Sequence, residues 1–217
     1  MDSSEKLKLL ENHIKALCPT FEVRFKDESL LMKTLGKVMF FNKSFMTHFI
    51  TTLGTKVYFP NRQRYEEDSE NSFRILAHEF VHIMDFMKSP WKFVFSYAAP
   101  QILAKLCIFS LLFFISPYFL LFLLSLLFLA PIPSIGRKNI EIRGYSMNCK
   151  IIQWCDECYP SDEYLDGCVE NFTGPSYYFM YPFKNRVLEE LKKFISTEDC
   201  LTDSNPAYRE VYDIIKL

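Results

Sequence analysis

The chain has 217 residues, 49% of them hydrophobic, which is enough apolar material for one sizeable domain or a domain with an insertion and excludes large-scale disorder. Its 25 basic and 26 acidic residues leave a formal net charge of −1 with no basic tail, so nucleic acid is excluded as a partner on electrostatic grounds. Seven cysteines accompany an N-terminus, MDSSEKLKLLENHIKAL, that is polar where an apolar export signal would stand, and the expectation is reduced thiols in a cytosolic setting.

Residues 3 to 17 place Leu7, Leu10, Ile14 and Leu17 at helical spacing and predict an amphipathic helix. FEVRF at 21 to 25 alternates as a strand does. FMTHFITTLGTKVYFP at 45 to 60 carries two β-rich runs around Leu53-Gly54-Thr55, which predicts a hairpin ending at Pro60. The polar NRQRYEEDSEN that follows reads as a loop. A helix is then expected from about residue 72, capped by Ser69 or Asn71 and ended by Ser89-Pro90, because Phe73, Leu76, Ala77, Phe80, Val81 and Met84 recur at i, i+3 and i+4. From Leu106 to Gly136 no residue is charged, and Ser116-Pro117 breaks the run near its middle, which predicts two apolar helices at about 93–115 and 118–135. A helix over 137–154 follows, with Ile140, Met147, Ile151 and Trp154 on one stripe and Glu141 and Tyr145 on another face. Then come a loop containing CDECYPSDEY, the Tyr- and Phe-rich FTGPSYYFMYPF, a surface helix NRVLEELKKFI and a terminal helix opened by Asn205-Pro206. Strands before the helix at 72–88 and helices after it make the fold class α+β, in three parts: 1–92, the apolar 93–135, and 136–217.

The chemistry-bearing stretch is ILAHEFVHIMDFMK, residues 75 to 88. Two histidines four apart on a helix project from one face, so His78 and His82 can grip one ion, a spacing that suits zinc. Glu79 lies beside the pair, where it can take a proton from a metal-acidified water and hand it to a leaving amine. Asp85, seven residues after His78, could orient a ligating imidazole. The other histidines, His13 and His48, both precede the pair, so the third ligand is expected to be a carboxylate. Glu141 is the candidate, next to Gly144, which permits close helix approach, and one turn from Tyr145; the competing reading makes it a solvated charge beside Arg137 and Arg143, with Asp156, Glu157 and Asp162 as substitutes. Cys149, Cys155, Cys158 and Cys168 contain one Cys-x-x-Cys, but their irregular spacing favours plain thiols over a structural zinc site.

The pattern His78-Glu79-x-x-His82 followed by Glu141-x-x-x-Tyr145 resembles the zincin metallopeptidases of the gluzincin type. That resemblance implies a zinc ion held by His78, His82 and Glu141, with Glu79 as catalytic base, and a small β-sheet packed on the active helix whose edge strand binds a protein or peptide substrate. An apolar hairpin between the motif and the third ligand is similar to the layout of HtpX-related membrane peptidases and the CAAX prenyl protease. Tyr145 is a candidate for stabilising the oxyanion, a role the chemistry requires.

The apolar run constrains this reading. A single crossing of a bilayer core about 30 Å thick would part His82 from Glu141, whereas a hairpin returns the chain to the same side. Lys88, Lys92 and Lys105 before the run and Arg137 and Lys138 after it place both flanks in the cytoplasm by the positive-inside tendency, with lipid as a partner. A buried hairpin, or one packed on another protein, is the alternative; Leu and Phe on every face of LLFLLSLLFLA argue against it. The expected function is a membrane-associated zinc metallopeptidase. The alternative from a different class is a non-catalytic, membrane-anchored protein that keeps zinc, or only the fold, for structure or interaction.

Overall fold

A computed structural model describes residues 2–38, 44–175, 179–197 and 205–217. Of the sequence expectations, Ser176, Tyr177 and Tyr178 of the aromatic segment and the side chain of Asp156 lie outside the described residues. The elements in order are α1 (Ser3–Leu17), β1 (Glu22–Phe25), α2 (Leu30–Val38), β2 (Thr51–Leu53), β3 (Lys56–Phe59), α3 (Arg62–Glu67), α4 (Ser69–Lys88) and α5 (Pro90–Ala98). Two 3-10 helices follow, Gln101–Phe114 and Pro117–Leu129, then α6 (Ile135–Asp156), α7 (Asp162–Thr173), α8 (Lys184–Ser196) and α9 (Ala207–Lys216). A mostly helical chain with a small sheet is α+β at this level.

The elements gather into two units, one of 1–88, 147–158 and 198–217 and the other of 89–146 and 159–197. In the first, α1, α4 and α9 pack together. Their apolar stripes supply the core: Leu7, Leu10 and Ile14 from α1, Phe73, Leu76, Ala77, Phe80 and Val81 from α4, and Tyr208, Val211 and Ile214 from α9. At roughly 1.5–3 kcal/mol per fully buried large aliphatic or aromatic side chain, this stripe rather than local helix propensity holds α4 in place. The strand order is β1-β3-β2, with β1 parallel and β2 antiparallel to β3, so β2 is an edge strand. Gly54 turns the β2–β3 hairpin at φ +65, a backbone region that glycine enters without penalty.

The hairpin is shorter than its sequence suggests. Residues 44–49 form turns instead, with the N–H groups of Thr47, His48 and Phe49 directed at Ser44 O. The stretch read as a loop after Pro60 contains α3, because Asn61 accepts a hydrogen bond from Arg64 N at 2.8 Å and Tyr65 anchors the turn edge-on to Phe59. Asp68, not Ser69 or Asn71, caps α4: its carboxylate accepts from Asn71 N and its carbonyl from Ser72 N.

In the second unit, α7 starts at a Ser161 cap and buries Leu165, Cys168, Val169 and Phe172, a helical stripe that the charged and glycine residues around it conceal. It joins Ile142 of α6 and Val187 and Leu191 of α8 in one hydrophobic cluster. The two apolar α-helices expected at 93–115 and 118–135 are replaced by α5, which stops before Pro100, and by the two 3-10 helices, which pack side by side with Ser125 Oγ donating to Ala104 O. The break at Ser116-Pro117 falls where expected.

Lys26, just after β1, is wholly shielded from solvent; its ammonium donates to Phe45 O at 2.7 Å and lies 4.0 Å from the Phe45 ring centre. Burial lowers its pKa from 10.5 to about 8. Because the folded state binds this proton more weakly than the unfolded chain, the contribution to stability is full above the unfolded pKa and lost as pH falls through the folded one. Stability of the wild type relative to Lys26→Met is therefore expected to rise by ~3 kcal/mol between about pH 8 and pH 10.5. Denaturant unfolding of both proteins across that range checks it, and a flat difference would contradict it.

Candidate metal centre

Helix α4 aims both imidazoles to one side while its core stripe fixes the helix rotation. His78 and His82 are buried, their rings meet edge-on with centres 4.7 Å apart, and their Nε2 atoms stand 3.0 Å from each other. Zinc–nitrogen bonds of about 2.0–2.1 Å at a tetrahedral angle hold two ligand nitrogens roughly 3.3 Å apart, so the pair needs to open by only a few tenths of an ångström to take such an ion.

The other ring nitrogen of His78 is part of the same arrangement. Asn148, on the portion of α6 within the first unit, places its amide nitrogen 3.4 Å from His78 Nδ1, while its Oδ1 is buried with no hydrogen-bond partner. Turning the amide over exchanges the two atoms and lets Oδ1 accept from an Nδ1–H, which leaves Nε2 as a lone pair for a metal. In that orientation one side chain would satisfy a buried oxygen and hold the proton on Nδ1.

Glu79 is half-buried and points at the sheet rather than along the histidine face, since one residue advances a helix by about 100°. Thr52 Oγ1, on edge strand β2, donates to Glu79 Oε2 at 2.7 Å. This ties the carboxylate to the strand. Asp85 accepts from Asn205 Nδ2 at 3.1 Å, and Asn205 also donates to Val81 O and accepts from Ala207 N, so Asp85 takes part in fastening the start of α9 onto α4.

Glu141 lies in the second unit on α6 and is 2% exposed, so the solvated-charge alternative does not hold. Its Oε1 accepts from Tyr97 OH at 2.8 Å. The Arg137 guanidinium sits over the Tyr97 ring at 4.8 Å. Tyr145, one turn beyond Glu141, packs its ring 5.3 Å from that of Phe172 within the hydrophobic cluster. Of the substitute carboxylates, Glu157 is exposed, and Asp162 is exposed and paired with Lys192. Cys149 and Cys168 are buried, and Cys155 and Cys158 are exposed.

His78, His82 and Glu141 form a buried group that could hold a metal ion. The donor set of two imidazoles and one carboxylate fits zinc in the open, three-ligand form. No protein-family model, curated protein or solved structure matches the chain.

Sequence reasoning missed Thr52, Tyr97 and Asn148. For Asn148 a signal exists, because Glu141, Tyr145 and Asn148 recur at i, i+4 and i+7 along one helix face. Asn148→Ala is expected to lower zinc affinity about tenfold, since supporting partners of ligating histidines commonly contribute 10–100-fold. Competition against a chromophoric chelator measures it; unchanged affinity would remove Asn148 from the centre.

Proposed function

We propose that the chain is a zinc-dependent metallopeptidase, associated with a membrane, in which His78, His82 and Glu141 hold the ion and Glu79 is the general base and then the general acid. The observation that carries this reading is the converging Nε2 pair on α4, with the next residue after His78 a glutamate whose carboxylate is fastened to an edge strand. A zinc ion kept only for structure requires ligands but no adjacent base.

In this reading β2 receives the substrate backbone as an added strand, because it lies at the edge of the three-stranded sheet among the described residues. Zinc, when bound, supplies Lewis-acid polarisation of the scissile carbonyl and brings a water's pKa down to about 7. Glu79 takes the proton of the attacking water and delivers it to the departing amine nitrogen, and Thr52 keeps the carboxylate oriented for both transfers. Tyr145 is the proposed donor to the developing oxyanion. The zincin-like fold proposed for the chain rests on the same features: a small mixed sheet, an edge strand against the motif helix, and a carboxylate on a later helix.

The membrane association rests on the apolar segment. No single helix among the described residues is long and apolar enough to cross a membrane; α5 and the first 3-10 helix pass together on length and composition, bent by 87°. Phe114, Ile115 and Tyr118, around the break between the 3-10 helices, are all largely exposed. At about 2.0 Å per residue the 14- and 13-residue 3-10 helices extend roughly 28 and 26 Å, comparable with a hydrocarbon core of about 30 Å, whereas α-helices of that length would reach only about 20 Å. An inserted hairpin of this reach returns the chain to the face it left, with the flanking Lys and Arg residues in the cytoplasm.

Glu79→Gln is expected to lower peptide hydrolysis by at least about 10²-fold while zinc affinity stays near wild type, because the amide keeps the shape and loses the base. Loss of zinc in parallel with activity would make Glu79 a structural residue. For topology, single cysteines introduced near Lys88 and near Lys138 are expected to label from the same side of sealed vesicles. Labelling from opposite sides would show a single crossing and would remove Glu141 from the site.

A further inference from the structure

We infer that Tyr97 is a positioning residue for the third metal ligand, its hydroxyl setting the orientation of the Glu141 carboxylate. This rests on the reading of Glu141 as a ligand and adds to it a side chain from the entry to the apolar segment.

The geometry within the second unit is specific. Tyr97 OH donates to Oε1 of Glu141 at 2.8 Å. Glu141 is 2% exposed, so the direction of its carboxylate is set by protein groups rather than by water. The Tyr97 ring is itself held: Phe93, one turn earlier on α5, stacks nearly parallel with it at 6.0 Å, and Arg137 covers it at 4.8 Å.

The backbone approach that permits this contact depends on Gly136. A Cβ at that position would lie 2.5 Å from Ser96 O, so any larger residue would push α6 away from α5 just beside Tyr97. Ser134 adds a second tie by donating to Ala99 O. The end of α5 and the start of α6 are thus joined at three consecutive places, and the orientation of Glu141 follows from how the chain enters and leaves the apolar segment.

The test compares zinc dissociation constants for the full chain in detergent, measured by chelator competition, for wild type, Tyr97→Phe, Glu141→Ala and the double variant. Tyr97→Phe keeps the ring and removes only the hydroxyl. It is expected to weaken zinc binding by about 10–100-fold with an unchanged melting temperature, and to add nothing further in the Glu141→Ala background. Wild-type affinity in Tyr97→Phe, or an equal further loss in the double variant, would overturn the proposal. Phe93→Leu loosens the ring stack without touching the hydroxyl and should bind zinc nearly as wild type does; a loss as large as that of Tyr97→Phe would assign the effect to packing and overturn the positioning role. Glu141→Ala at wild-type affinity would instead defeat the ligand reading on which the inference stands.

Discussion

Two imidazoles buried on one face of α4, with their Nε2 atoms 3.0 Å apart, are the constraint from which the rest of the centre follows. Buried polar nitrogens require partners, and a neutral histidine pair can satisfy the contact between them only if one ring donates and the other accepts. The helix supplies the separation through its 3.6-residue turn. The core supplies the rotation, because Phe73, Leu76, Ala77, Phe80 and Val81 leave α4 no freedom to turn the histidines outward.

Around that pair, each further polar group serves a distinct physical need. Thr52 holds the half-buried carboxylate of Glu79 against edge strand β2. Asn148 stands beside the Nδ1 of His78. Asn205 joins Val81 and Asp85 of α4 to the first turn of α9, and fixes the C-terminal half of the motif helix. Helix α6 is continuous from Ile135 to Asp156, so it carries Glu141 and Asn148 on one face about two turns apart.

The sequence made the motif helix and both of its histidines legible, since period and spacing on one helix translate directly into a shared face. Glu141 was accessible through elimination and its place on a helix stripe. Tyr97 was not, because its role depends on α5 stopping before Pro100 and on Gly136 meeting Ser96, a contact between segments that no local pattern encodes. Thr52 was hidden for a similar reason: which of the alternating hairpin residues faces α4 depends on a register set by Gly54. Helix α3 escaped because a short polar helix relies on a cap and an anchor, Asn61 with Tyr65, and α7 because the charged and glycine residues around it conceal its stripe of Leu165, Cys168, Val169 and Phe172. The apolar segment was legible as a broken pair and misread in its local form, since composition does not distinguish α from 3-10 winding.

Metal content bears most directly on the central claim that His78 and His82 converge in order to share an ion. Full-length protein purified in detergent without chelators is expected to contain one zinc per chain by elemental analysis, and folded His78→Ala is expected to contain none. A folded wild-type protein that neither carries zinc nor takes it up at micromolar concentration would contradict the account.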